Sequence, residues 1–178
     1  MDDVTFRLAT LADVPRLQPF VHAAYRGDSA RRGWTHEADL LDGQRIDEAA
    51  LNAILADPVE AIVVAEIHDA LVGCVRITDL GKGLCSLGLL AVNPERQALG
   101  LGRRLIAAAE ANARDQFAAR RMEMTVIVQR IELIDWYGRR GYQPTGETRP
   151  FPATDPRFGV PRRGDLAFIV LERVLADQ

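Results

Sequence analysis

Apolar and polar positions alternate over residues 4–9, and the next apolar positions fall at Val14, Leu17, Val21 and Tyr25. The period changes from two to between three and four, which predicts a short strand and then an amphipathic helix, capped at Thr10 and admitting Pro15 in its first turn. Residues 26–43 show no period; they are polar and broken by Gly27, Gly33 and Gly43. A second, shorter helix is expected over 47–55, stopped by Asp57-Pro58. Apolar runs over 61–67 and 71–80, joined by His68-Asp69-Ala70, and over 84–92, reached through Gly81-Lys82-Gly83, predict a three-strand antiparallel meander. A long Ala/Leu pattern from about 99 to 119 predicts the main helix. After it the chain predicts a strand at 122–128, a helix at 132–140 ended by Gly141, a strand at Tyr142, a long Pro/Arg-rich loop over 148–164 and a last strand at 166–174. No repeat, linker or low-complexity block divides it, so one α/β domain over 1–178 is expected, a mixed sheet with helices on both sides.

Composition narrows the function classes. The chain has 178 residues, enough for a full core without disulfides or metal, and a net charge of −3, which supplies no broad basic field for nucleic acid or an anionic membrane. Cys74 and Cys85 lie in apolar runs, and a turn near Lys82 does not set them opposite each other, so reduced core cysteines and a cytoplasmic setting are expected. The first residues, MDDVTFRLAT, lack a basic stretch followed by an apolar one, and no long uncharged apolar run follows, so neither export nor a membrane span is expected. His22 and His68 have no partners at metal-ligand spacing, and no metal is expected.

The densest chemical signal is the junction between the strand ending at Val92 and the main helix. Asn93-Pro94 breaks the apolar run, and Gln97-Ala98-Leu99-Gly100-Leu101-Gly102 leads into the helix, followed at once by Arg103 and Arg104. The first amides of a helix have no intrahelical partner and carry the positive end of its dipole, so a glycine-rich entry lets an anion approach them. Arginines in a first turn oppose the dipole unless a polyanion lies there, and Arg103 is the one expected to touch it. A dinucleotide fingerprint would need glycine where Leu105 stands, and a P-loop would need Gly-Lys-Ser/Thr; neither is present. A tight strand-to-helix turn is the other reading of the two glycines.

Gln-x-x-Gly-x-Gly after a Val-x-Pro strand end resembles the acetyl-CoA pyrophosphate loop of the GNAT N-acetyltransferase superfamily. A second motif, Trp136-Tyr137-Gly138-Arg139-Arg140-Gly141-Tyr142, resembles that family's Tyr-x-x-x-Gly-Phe/Tyr signature, and the element order over nearly the whole chain is similar too. The resemblance extends to uncharacterised bacterial members. It implies a GNAT-like, mostly antiparallel seven-stranded sheet flanked by about four helices, with acetyl-CoA as cosubstrate. By the same resemblance the backbone at Leu90, Ala91 and Val92 faces the pantetheine. The amides of Ala98, Leu99, Gly100, Leu101, Gly102 and Arg103 take the pyrophosphate, with Gln97 holding the loop, and Tyr137 is the general acid that meets the sulfur. A core aromatic on the inner face of its helix is the other reading of Tyr137, and a solvated helix end that of Arg139-Arg140.

Departures from the family pattern leave the base open. Leu87-Gly88-Leu89 offers no glutamate where many members have one, and Arg130 stands where an asparagine often precedes the helix. The acceptor is expected between residues 25–45 and 148–164. There Trp34, His36, Glu37 and Asp39 form an aromatic wall beside carboxylates suited to a cationic amine, with His36 or Glu37 able to relay its proton. Thr35 capping a helix with Trp34 as its staple is the plainer reading. Arg31, Arg32, Arg149, Arg157 and Arg162 surround the same gap and admit a carboxylate on the acceptor. The expected function is acetyl transfer from acetyl-CoA to a primary amine of a small molecule by direct attack. Transfer to peptide or protein amino groups, or a non-catalytic acyl-CoA sensor, are the alternatives; a homodimer is possible by resemblance.

Overall fold

A computed structural model describes residues 3–26, 39–42, 45–155 and 159–175, and for Asp42, Gln97 and Ala98 the backbone alone. Strand β1 (Val4–Leu8) leads through a 3-10 turn (Leu11–Asp13) into helix α1 (Val14–Tyr25). A two-residue strand β2 (Leu41–Asp42) precedes helix α2 (Glu48–Ala56), whose first amides are capped by Asp47, accepting from Ala50 N at 2.7 Å. The meander follows as β3 (Glu60–Ile67), β4 (Ala70–Asp79) and β5 (Leu84–Val92). Then come a 3-10 segment (Pro94–Leu99), helix α3 (Leu101–Phe117), β6 (Arg121–Ile127), α4 (Ile131–Gly138), β7 (Gln143–Pro150), β8 (Val160–Pro161) and β9 (Ala167–Val174).

Seven strands form one sheet in the order β1-β3-β4-β5-β6-β9-β7, all neighbours antiparallel except β5 and β6. The sheet is buried on both faces, as the near-continuous apolar sequence of β3 requires. Ala61, Val63, Ala65 and Ile67 of that strand pack with Leu101, Leu105 and Ala109 of α3, whereas Ile62 and Val64 pack with Leu17 and Val21 of α1 and Leu51 of α2. Under α3, Glu110 is buried and held by the Tyr142 hydroxyl at 2.8 Å and by Arg173 at 2.9 Å. Burial beside that carboxylate raises the Tyr142 phenol well above its ordinary range.

Most boundaries shift by a residue or two from the sequence expectation, and the larger differences lie at the start of α3 and in the 148–164 loop. Helix α3 begins at Leu101, not near 99, because Gly100 adopts φ +69°, ψ 16° and turns the chain between the 3-10 segment and the helix. The expected loop over 148–164 contributes to the sheet at both ends: β7 continues to Pro150 against β9, and Val160–Pro161 pairs with Leu41–Asp42. The final strand begins at Ala167. Cys74 and Cys85 are free and buried, as expected.

Candidate active site

The site is set by a strand that changes its pairing halfway. On β4, Arg76 faces Gly88 and Cys74 faces Ala91, so Leu89 and Leu90 together span the interval that Val75 occupies alone. Leu89 is left at φ +49°, a left-handed conformation for a branched residue, held by burial of its side chain. On its other edge β5 pairs with β6 only from Leu84–Ser86 to Arg121–Glu123, although β5 runs on to Val92 and β6 to Ile127. The strands therefore part, and two cavities of about 340 Å³ each open in the wedge.

The first cavity lies between the end of β5 and the start of α3. Leu90, Ala91, Val92, Gly100, Gly102 and Arg103 line it, together with Trp136, Tyr137 and Arg140 from α4 and its end. Gly100 is the N-cap of α3 and no side chain caps the helix, so its first amides face an approach that glycine leaves open. A Cβ on Gly100 would meet nothing within 4 Å, but one on Gly102 would lie 3.2 Å from the Trp136 ring. Gly102 thus makes room for an indole as well as for a ligand.

Arg104 turns away and lies over the Phe6 ring at 5.1 Å, leaving Arg103 as the first-turn arginine on the cavity. Arg140 is not a solvated helix end: its guanidinium stacks on Trp136 at 3.5 Å and donates to the Trp136 carbonyl at 2.7 Å. Burial lowers its pKa from the usual arginine value, and Arg139 and Arg103 lower it further by like-charge repulsion. Two guanidiniums sharing one wall, beside a bare helix N-terminus, suit a polyanion such as a pyrophosphate.

The second cavity lies between the parting strands, lined by Gly88 and Leu89 of β5, by Thr125 and Ile127 of β6, and by Arg26, Arg45 and Arg76. Tyr25, Leu90, Arg130, Leu133 and Tyr137 line both cavities and so mark where they meet. Tyr137 is 5% exposed and packs edge-on against Trp136 and Tyr142, at 5.1 and 6.1 Å between ring centroids. Its ring is packed as the core reading requires, and the residue also forms part of the meeting point of the two cavities. The Tyr25 hydroxyl donates to the Leu90 carbonyl and ties α1 to the bulge.

Of the expected cofactor residues, Leu99 is exposed and Leu101 is wholly buried in the core, so neither side chain reaches the cavity. The side chains of Gln97 and Ala98 lie outside the described residues, as do Trp34, His36 and Glu37, and the Arg31, Arg32 and Arg157 of the acceptor gap. Asp39 is described; it is exposed, in the turn before β2, and is not among the residues lining either cavity. Arg149 is committed elsewhere, to Glu123 at 2.9 Å and Glu147 at 2.7 Å. Tyr25, Arg26 and Arg45 fall within the expected acceptor segment 25–45, though none was singled out there, and Arg76 lies outside it. For Arg140 a signal existed, its i, i+4 spacing from Trp136, which places the two side chains together on a helix. Among the described residues no group of three His, Cys, Asp or Glu could hold a metal ion, and no helix is long and apolar enough to cross a membrane.

Known structures share this arrangement of elements. The structure of yncA from Salmonella typhimurium with its cofactor acetyl-CoA superposes with a TM-score of 0.71 at 18% identity, over 99% of this chain and 96% of that one. A GNAT family acetyltransferase from Streptococcus pneumoniae gives 0.70 at 18% identity, over 97% and 100% of the two chains. A GNAT family acetyltransferase from Elizabethkingia anophelis with acetyl-CoA bound gives 0.66 at 15% identity, over 98% and 100%. None of the curated proteins matches the sequence. The family model described as Acetyltransferase (GNAT) family matches residues 20–142, which include the bulged strand, the glycine turn and the helix bearing Tyr137, and the chain accordingly belongs to the GNAT acetyltransferase family.

Proposed function

We propose that this protein transfers an acetyl group from acetyl-CoA to the primary amine of a small molecule, with Tyr137 as general acid. The observation that carries the reading is the meeting of two cavities at Tyr137 and the β5 bulge, one with an anion-ready helix start and the other lying between the parting strands. The cofactor's fit is supported by the uncapped α3 N-terminus and by Arg103 and Arg140 on one wall, which would hold its phosphates. Bound there, it supplies an acetyl thioester whose C–S bond breaks as the amine forms a C–N bond.

The chain's own tasks follow from that exchange. Tyr137 gives its proton at the departing sulfur; a phenol of pKa ~10 is slightly uphill of a thiol near ~8.5, so a hydrogen bond at the transition state suffices. The amine's proton leaves through Glu37 or His36 in this reading, since β5 carries no carboxylate between Leu87 and Leu89. A second cavity of about 340 Å³ favours a small acceptor over a protein side chain.

The test is thiol release from acetyl-CoA in the presence of amino acids, polyamines, aminoglycosides and short peptides, with acetyl-CoA binding measured separately by calorimetry. Release stimulated by a small amine is expected; binding without release identifies a sensor, and release only with peptides identifies a peptide or protein acetyltransferase. Tyr137→Phe should lower kcat about 10²-fold or more at unchanged acetyl-CoA affinity. An unchanged kcat refutes the general-acid role.

A further inference from the structure

We infer that the acceptor is an amino acid with an apolar side chain, its carboxylate held in the second cavity by Arg26, Arg45, Arg76 and Arg130. The inference rests on the acetyl-transfer reading and names the substrate class of that same site. All four arginines line this cavity, and no Asp or Glu is among its described lining residues. Arg26 is 2% exposed and Arg130 is 9% exposed, so both side chains sit in a desolvated wall.

These arginines have engagements within the protein, and the inference asks them for donors rather than for bare charge. Arg76 binds Glu60 through Nε at 2.8 Å and Nη2 at 2.5 Å, while Arg26, Arg45 and Arg130 have partners of their own. A guanidinium carries five N–H donors in a fixed fork, so a second acceptor can be held beside the first, and a carboxylate matches that fork bidentately. The Arg45 and Arg130 guanidiniums lie 5.3 and 5.9 Å from the centre of the Tyr25 ring, and Tyr25 belongs to both cavities. A carboxylate between them is thereby close to the junction, where the α-amine must be. The apolar part of the lining, including Leu41, Phe151 and Phe168, is left for the side chain; the two phenyl rings are 5.5 Å apart.

The experiment compares L-leucine and L-phenylalanine with their C-terminal amides and with isoamylamine and phenethylamine, reading kcat/KM by thiol release. The acids should exceed the amides and the decarboxylated amines at least tenfold. Arg45→Gln should erase that preference, Arg45→Lys should restore part of it, and acetyl-CoA affinity should stay within threefold in both. Binding of N-acetyl-L-phenylalanine and its amide to the CoA-bound protein, followed by calorimetry, gives a readout independent of turnover, again with the acid at least tenfold tighter. Equal or better use of the amides or amines overturns the carboxylate inference and leaves the acetyltransferase reading intact. If no amine is acetylated, the acetyltransferase reading fails, and equal binding of the acid and its amide then overturns the carboxylate site as well.

Discussion

A methyl group at Gly102 tests the cofactor wall with little disturbance of the fold. The Cβ of Gly102→Ala would stand 3.2 Å from Cη2 and Cζ2 of Trp136, inside the ordinary carbon contact of about 3.5–4.0 Å, so the indole must retreat by a few tenths of an ångström. Stability should change little. Alanine favours the helix by up to about 1 kcal/mol over glycine, while crowding a partly exposed ring costs about the same, and Tm should move by no more than about 4 °C. Affinity should change more. The ring carries the Arg140 guanidinium on its face and precedes Tyr137, and the new methyl also crowds the first amides of α3. Loss of one charge-assisted hydrogen bond to a phosphate, about 1.5–3 kcal/mol, raises the acetyl-CoA Kd roughly 10- to 100-fold. Calorimetric titration with acetyl-CoA and thermal unfolding by circular dichroism read the two effects separately, and Trp136→Phe in the Gly102→Ala background should recover part of the affinity by vacating the contact. An unchanged Kd in Gly102→Ala would refute the assignment of this helix start to the cofactor.

Two further outcomes concern the frame. Arg7 holds the Asp13 carboxyl down to about 2, and Asp13 is 6% exposed, so its contribution is complete above its ordinary value near 3.8 and is lost as pH falls toward 2. Because Arg7 itself is 39% exposed, the loss is discounted for solvent screening to about 1–2 kcal/mol; urea unfolding between pH 5 and pH 2 should show it, and Asp13→Asn should remove that part of the slope. Burial pushes the Cys74 thiol up to about 12 and the Cys85 thiol to about 11, so both should resist a thiol reagent at pH 8 until denaturant is added. Stoichiometric labelling of the native protein would contradict their placement.

The periodic parts of the chain were legible because burial on one or both faces imposes the period: β1, α1, the meander and α3 all follow from it, within the boundary shifts noted. The edge strand β7 was legible only as a strand at Tyr142, not in its extent. Gln143–Pro150 is exposed at nearly every position and contains two prolines, so no apolar alternation announces it, and only its pairing with β9 makes it a strand. In the site, the glycine turn and Tyr137 could be picked out because the backbone demands of a helix start and the family motif leave marks on residue type. The bulge at Leu89 leaves none, since a leucine at positive φ is dictated by tertiary packing. The cavity arginines were obscured for another reason. Arg26, Arg45, Arg76 and Arg130 are scattered over more than a hundred residues and converge only when the end of α1, the stretch before α2, β4 and the start of α4 assemble.

The brief seam between β5 and β6 has a mechanical consequence. Three residue pairs are all the ladder that joins β1-β3-β4-β5 to β6-β9-β7, while within each group the ladders run to between five and eight pairs. The sheet is thus two laddered leaves joined by a short seam, with α3 tied across to the second leaf where Glu110 meets Arg173 of β9. A molecule seated across the gap would act as a strut between the leaves, raising the resistance of the whole sheet to twisting although it adds no strand of its own.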